Sequence, residues 1–546
     1  MRTPRSSITD LNKFLTSPRM NRISVLILVA GLVFFGSWLA NYSWTIIATP
    51  YPVEYREGAI LLLTDFFIHG MNPFSLANHP LMTNNYGFLY NLVVLPFAMI
   101  FGNTLAIHRI ISILFILASC TLIVLTLRKI DVAWPFAVAG GGIVLASLLF
   151  TVTPLARPDA LGEFFFLLTI LFPWYRKFDT QALLVSGLAG ILAFLSKPYF
   201  ILSVGMVSMY LFTFVSKKRG LFYTLSVMGS LIFVLYIINT YFECYFLDVI
   251  LNNILNSSLS DSHLQKQLIL FVKTFLPSSL ILLLAASNNI IQKPSRATGL
   301  SGKQQSLDIF HFDKPLVHFP INYFVFFLEF TLIIVLLLLG KHLGAYMSYF
   351  FQLITPALIL VIFQQKDVLD KNAAITVPLI LINFSLLCFW VLYPNKLSMS
   401  QQKEWDKLYR YIARSADILN SPVLVPEMVR LSIMPADSGQ TEYYFNTRPY
   451  DSNPLAPDYE KVSQQGKKYL EMIRTKIQNH GYDYVIVTSG QDPNYDSIFV
   501  IPEQALSPLA SRSVIDQFYD RVELINIAMP QSGEYWIIEV NELQKK

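Results

Sequence analysis

Apolar segments of membrane length recur through the first 393 residues of this 546-residue chain, and that repetition limits the fold more than any single motif. A bilayer core takes about 20 apolar residues per helix. Stretches at or near that length lie at 23–47, 104–127, 133–154, 160–174, 181–196, 198–215, 221–240, 267–287, 320–340, 344–363 and 373–393. They predict an all-α polytopic membrane protein of about eleven transmembrane helices. Lys197-Pro198 either separates two short spans or kinks one long helix. Two further apolar stretches, 58–69 and 86–101, are short enough to lie in the membrane interface as amphipathic or re-entrant segments, in-plane helices of the first outer loop.

Composition agrees and divides the chain. It is 54% apolar and 14% charged, against about 45–50% and 25% for soluble domains. Residues 394–546 carry 16 of the 41 basic and 20 of the 36 acidic side chains. The predicted organisation is a cytoplasmic N-terminus at 1–22, a transmembrane domain at 23–393, and a small α/β extracytoplasmic domain at 394–546. Trp405–Leu419 and Lys467–Asn479 have helical patterning there; Pro422–Pro426, Tyr484–Thr488 and Tyr535–Val540 read as strands.

Arg2, Arg5, Lys13, Arg19 and Arg22 precede a run too long for a signal-peptide core, so it reads as a retained helix. With that end inside, the inner loops carry Arg128-Lys129, Arg176-Lys177, Lys217-Lys218-Arg219, Lys293–Lys314, Lys366 and Lys371. The outer loops are poor in bases, apart from Arg157, Lys197, Lys266 and Lys341. This asymmetry fits the rule that cytoplasmic loops collect Lys and Arg, and predicts a multi-pass protein of the plasma (inner) membrane. The net charge of +5 is dispersed among loops and forms no nucleic-acid-binding face. Cys120, Cys244 and Cys388 have neither disulfide nor metal spacing.

Four polar constellations interrupt this pattern at the predicted outer face. Glu54 and Glu57 flank Arg56 directly after the first span. Carboxylates beside a membrane helix are costly unless they serve a cavity, although an exposed interfacial acid pair would give the same pattern. Arg157-Pro158-Asp159 stands at a helix start, where Asp159 reads either as a first-turn charge paired with Arg157 or as part of a substrate site. Lys197 ends an apolar run and either snorkels to the interface or holds a phosphate. His342, Tyr346, Tyr349 and Gln352 fall at helical spacing along one polar face, a pattern that membrane anchoring also produces. Asn85 and Tyr86 open the second in-plane stretch, at a turn whose backbone N–H groups suit an anion.

Taken in order, these residues resemble the GT-C superfamily of integral-membrane glycosyltransferases. The similar branch contains protein O-mannosyltransferases, aminoarabinose transferases and the bacterial dolichyl-phosphate-mannose-type group. The resemblance runs from about residue 23 to 363. It rests on Glu54 with Arg56-Glu57-Gly58, on Gly70-Met71-Asn72-Pro73, and on Tyr86-Gly87-Phe88-Leu89-Tyr90 ending in Phe101-Gly102. It continues through Arg109, Arg157-Pro158-Asp159-Ala160, Lys197 and the segment 344–352. The chain departs from the pattern where many relatives have Asp-Glu and it has Arg56-Glu57. Gly87-Phe88 also replaces a tandem proline, and Ser348 and Gln352 replace Asn and Glu.

The resemblance implies sugar transfer from a polyprenyl-phosphate donor at the outer face, by a single inverting displacement. The acceptor, whether glycan, lipid or protein, stays open. Glu57 is then the expected general base with Glu54 assisting or in its place. Lys197, Arg157 and Tyr86 are expected to hold the donor phosphate, and Asp159, Asn85, His342, Tyr346, Tyr349 and Gln352 to line the substrate site. The resemblance fixes no cofactor and leaves a divalent cation open, since some relatives bind one at the acid motif, although two Glu around an Arg are a poor cage. A lipid-linked sugar transporter or flippase, and a non-catalytic scaffold retaining the fold, are the competing readings.

Overall fold

The structure, a computed structural model, describes residues 17–54, 57–75, 86–150, 153–251, 259–292, 314, 316, 321–341, 349–395, 397–412, 414, 418–419, 475–491, 517–529 and 534–544. Each expected span has a helix: α1 (Pro18–Ala48), α4 (Leu105–Lys129), α5 (Trp134–Leu148), α6 (Asp159–Tyr175), α7 (Thr180–Ser196), α8 (Pro198–Val215), α9 (Lys217–Tyr241), α10 (Asp261–Gln292), α11 (Tyr323–Leu339), α12 (Phe350–Phe363) and α14 (Ala373–Leu392). Between them lie α2 (Glu57–Ile68), α3 (Leu89–Phe101) and the short α13 (Lys366–Lys371).

Six of these, α1, α4, α8, α9, α10 (over Asp261–Ser287) and α14, are long and apolar enough to cross a membrane. Local chemistry sets their ends. Ser17 caps α1 ahead of Pro18, Thr104 caps α4, and the Asp179 carboxylate accepts the Ala182 N–H at 2.8 Å to start α7, as short polar side chains do for orphan helix donors.

The bundle packs through small residues and apolar contacts, pinned by a few internal hydrogen bonds of the kind that tie helices where water is absent. Ser147 of α5 donates to the Phe351 carbonyl of α12 at 2.7 Å, Ser186 of α7 to the Thr169 carbonyl of α6 at 2.8 Å, and Asn383 of α14 to the Thr274 carbonyl of α10 at 2.9 Å. Phe35 of α1 stacks on Phe384 of α14 at 5.2 Å.

The helix α2 lacks the wet face of the amphipathic alternative. An in-plane amphipathic helix would keep one face polar and wet, yet every residue from Glu57 to Thr64 is buried. At 12 residues it is too short to span,, and it is enclosed by protein. Asn91 of α3 and Asn103 donate to its Ile60 and Leu61 carbonyls at 2.7 and 2.9 Å. By contrast, α3 leaves Met99, Ile100 and Phe101 exposed.

After α14 comes an amphipathic helix, α15 (Met399–Ile412), and then a four-stranded sheet of order β1-β2-β4-β3. Its strands are β1 (Ile418–Leu419), β2 (Tyr484–Gln491), β3 (Tyr519–Met529) and β4 (Glu534–Leu543). β1 runs parallel to β2, and the other pairings are antiparallel, with Val485 opposite Asn541 and Ile525 opposite Ile538. The helix expected over 405–419 stops at Ile412, and Ile418-Leu419 instead pairs with Tyr484-Val485. Pro422–Pro426 lies outside the described residues. β3 has no counterpart in the expected strands, because a bulge between Arg521 and Glu523 breaks the alternation that would reveal it,. Tyr411 ties α15 to the sheet, donating to the Glu523 carboxylate at 2.7 Å.

Candidate functional site

Polar side chains gather where α1, α5 and α7 end and where α4, α6, α8 and α12 begin, which is one end of the bundle. The first cluster is built on Arg109, in the second turn of α4. Its guanidinium donates to three carbonyls at and beyond the end of α1, Ile46 at 2.9 Å, Thr49 at 2.6 Å and Tyr51 at 3.0 Å. Its Nε and Nη2 grip both oxygens of Glu57, at 2.8 and 2.6 Å. Two backbone donors complete that carboxylate, Val53 N–H at 2.9 Å and Ala156 N–H at 3.0 Å. Both side chains are fully buried. Both oxygens of Glu57, the expected base, are thus taken up by a bidentate guanidinium and two backbone N–H groups,. Arg56 lies outside the described residues.

The second cluster adjoins it. Glu54, fully buried, sits 3.5 Å from Nη1 of Arg157. Nε of Arg157 lies 3.4 Å from Asp159, and Nη2 donates to the Tyr86 hydroxyl. The other oxygen of Asp159 accepts from Nζ of Lys197 at 2.9 Å. Asp159 thus stands between two cations, while its own carbonyl accepts from Gln352 at 3.3 Å.

Around the Lys197 ammonium stand three tyrosine rings, Tyr86, Tyr199 and Tyr349, with centroids at 5.1, 5.2 and 5.7 Å, inside the range of cation–π attraction. Among the charged side chains of this cluster Lys197 is the most accessible, its side chain 11% exposed against 0–1% for Glu54, Arg157 and Asp159.

Backbone breaks create this convergence. α7 ends at Ser196; Lys197 is extended (φ −156°, ψ 125°), and Pro198 begins a 3-10 turn. Lys197-Pro198 is therefore a break between two helices, and it turns the lysine into the cluster. Facing it is Gly87, where a Cβ would stand 1.7 Å from the Leu195 carbonyl oxygen. Only glycine lets the chain bring Tyr86 this close to the end of α7. Gln352 lies on a π-helical first turn of α12, Phe350–Ile354, a distortion frequent at functional sites.

Of the expected site residues, the structure brings together Glu54, Tyr86, Arg157, Asp159, Lys197, Tyr349 and Gln352, with Glu57 in the adjoining cluster. Asn85, His342 and Tyr346 lie outside the described residues. Sequence reasoning gave no site role to Arg109, although a charge inside an apolar span is itself a functional signal. It also passed over Tyr199, whose ring signal is lost among ordinary membrane aromatics, and Glu163, one turn past Asp159. Glu163 is fully buried, and neither carboxylate oxygen has a hydrogen-bond partner among the described residues. Also among the described residues, no group of three His, Cys, Asp or Glu side chains converges to hold a metal ion.

Fold and site together define a multi-pass membrane protein with two buried ion clusters at one end of its bundle. Among solved structures the chain is similar to ArnT from Cupriavidus metallidurans. The form bound to undecaprenyl phosphate aligns with a TM-score of 0.48 at 12% identity, over 93% of this chain and 97% of that one. The apo form aligns at 0.41 and 12%, over 82% and 79%. No protein-family model matches the sequence, and no curated protein matches it.

Proposed function

We propose that this protein is a membrane glycosyltransferase of the GT-C type. It moves a sugar from a polyprenyl-phosphate donor to a hydroxyl or amine acceptor at the outer face of the membrane. The observation that carries this reading is the meeting of Glu54, Arg157, Asp159, Lys197 and Tyr86, scattered over more than a hundred residues, in one buried cluster.

In the displacement, the acceptor oxygen or nitrogen bonds to the anomeric carbon, and the bond from that carbon to the phosphate oxygen breaks with inversion. The acceptor proton passes to a carboxylate acting as general base. We assign that role to Glu54, because both oxygens of Glu57 are already committed to Arg109 and two backbone N–H groups. The departing phosphate monoester gains charge as its bond to the sugar breaks. Arg157 and Lys197 supply the countercharge, and burial strengthens their effect. The pairs that Arg157 makes with Glu54 and Asp159, at 3.5 and 3.4 Å, are looser than a tight charge-assisted hydrogen bond of about 2.7–2.9 Å.

Sidedness follows from charge. The end of the bundle away from the clusters carries Arg128, Lys129, Arg176, Lys177 and Lys366. There Lys366 meets Asp131 at 3.5 Å and Lys129 covers the Tyr175 ring at 4.7 Å. Under the positive-inside tendency that end is cytoplasmic, and the site with the C-terminal sheet is extracytoplasmic.

The test uses purified protein in detergent with a radiolabelled polyprenyl-phosphate sugar and an envelope extract as the source of acceptor. Release of polyprenyl phosphate together with label transfer is expected, and Glu54→Gln is expected to abolish both. A donor that stays intact in detergent but moves across sealed vesicles would replace this reading with transport.

A further inference from the structure

One contact joins the C-terminal region to the acid loop. Tyr51 lies between the end of α1 and Glu54, and both ends of the residue are held. On the membrane-domain side its carbonyl accepts from Nη2 of Arg109 at 3.0 Å. On the other side its hydroxyl donates to the Asp406 carboxylate of α15 at 2.6 Å. Its ring lies nearly parallel to that of Trp405 (6.0 Å, 12°) and packs against Tyr409 at 5.4 Å. Tyr51 and Trp405 are both buried. The chain of contacts continues outward, since Tyr411 of α15 bonds Glu523 of β3 and packs on Tyr484 of β2 at 5.6 Å. It also continues inward, because Val53, two residues on, donates to the Glu57 carboxylate at 2.9 Å, and Glu54 follows next.

We propose that Tyr51, clamped by Asp406 and Trp405 of α15, is a positioning residue that transmits the placement of the C-terminal sheet to the Glu54 carboxylate. The catalytic half of this statement rests on the proposed transferase reading; the mechanical half does not. The reasoning is geometric. Only Pro52 and Val53 separate the clamp from Glu54, and Glu54 lies on a loop rather than on a helix. A loop that carries a base needs fixing from outside itself, because displacement of about 1 Å costs roughly 100-fold in a near-attack geometry. Arg109 fixes the carbonyl side of Tyr51. α15 fixes its side chain. The C-terminal region thereby becomes part of the catalytic apparatus without touching substrate.

The test measures the full chain in detergent in two ways: backbone amide exchange of the 50–58 segment, and donor turnover. Asp406→Ala and Tyr51→Leu are expected to lower protection of the Val53 amide by about tenfold, with amides of α7 unchanged. Asp406→Asn, which keeps an acceptor oxygen, is expected to restore it. Turnover number is expected to fall about tenfold in the same two variants with donor KM within about twofold, a split that general destabilisation would not give. Tyr51→Phe, which keeps the ring and loses only the hydroxyl, covers the case in which Tyr51→Leu fails to accumulate folded; it is expected to fall between wild type and Asp406→Ala. Unchanged Val53 exchange in Asp406→Ala and Tyr51→Phe overturns the proposal, whatever turnover does. If wild type itself shows no transfer, the glycosyltransferase reading falls, and the exchange result still decides whether the clamp exists.

Discussion

Two glutamates three residues apart take opposite roles in the proposed reading, and substitution separates them. Glu57→Gln removes the charge that neutralises buried Arg109. Breaking a buried ion pair from one side costs about 3–5 kcal/mol, so a clear drop in thermal midpoint is expected, measured in detergent by a thiol-independent melting assay. Glu54→Gln also loosens a buried pair, but Arg157 keeps Asp159 at 3.4 Å, so a smaller drop in midpoint is expected while transfer falls by more than about 100-fold, the scale of a lost general base. The opposite order would make Glu57 the base. Lys197→Ala is expected to raise donor KM and lower turnover together, whereas Tyr199→Phe, which keeps the ring face 5.2 Å from the ammonium, should be nearly silent in the same assay. The acids, Arg157, Asp159 and Lys197 were all legible in the sequence, because charges at the ends of apolar runs are conspicuous. Their division of labour was not, since it depends on Arg109, 52 residues beyond Glu57, and no local pattern registers such a partner.

At the scale of elements, the end of α7 and the turn before α3 are the parts most sensitive to change. Gly87→Ala would place a methyl group against the Leu195 carbonyl. The chain must then retreat, taking Tyr86 away from both Arg157 and Lys197. We expect reduced donor affinity with the bundle otherwise intact, checked by donor titration beside a melting curve. The sequence registers Gly87 as a departure from a tandem-proline pattern, and the structure supplies a steric reason for glycine at that position. Long apolar helices were readable because hydrophobic length is a strong signal. The enclosure of α2 was not, since a short apolar helix looks alike whether protein or lipid covers it. β3 escaped for a related reason: Val522 and Leu524 are exposed while Ile525 is buried, so apolar side chains on both faces hide the period-two pattern.

For the molecule as a whole, the two ends of the bundle differ in chemistry, and sidedness can be measured directly. Cys120, Cys244 and Cys388 are all buried, which leaves a low background for labelling. A cysteine placed at exposed Lys403 of α15 is expected to react with a membrane-impermeant maleimide in intact cells. One placed at exposed Lys218 is expected to react only after permeabilisation. Reversed labelling would put the clusters on the cytoplasmic face.

One arrangement in the second cluster bears on which molecules can enter it at all. Asp159 already stands against Lys197 at 2.9 Å and Arg157 at 3.4 Å, so on the proposed reading the cations that would meet a phosphate come with a resident competitor. Inorganic phosphate or a soluble sugar phosphate would have to displace that carboxylate with nothing else to hold it. A ligand tethered in the bilayer by a long hydrocarbon chain would arrive at high local concentration, as any second, linked binding event does. On that reading the built-in rival anion would act as a filter, favouring headgroups delivered by the membrane over the same chemistry free in water.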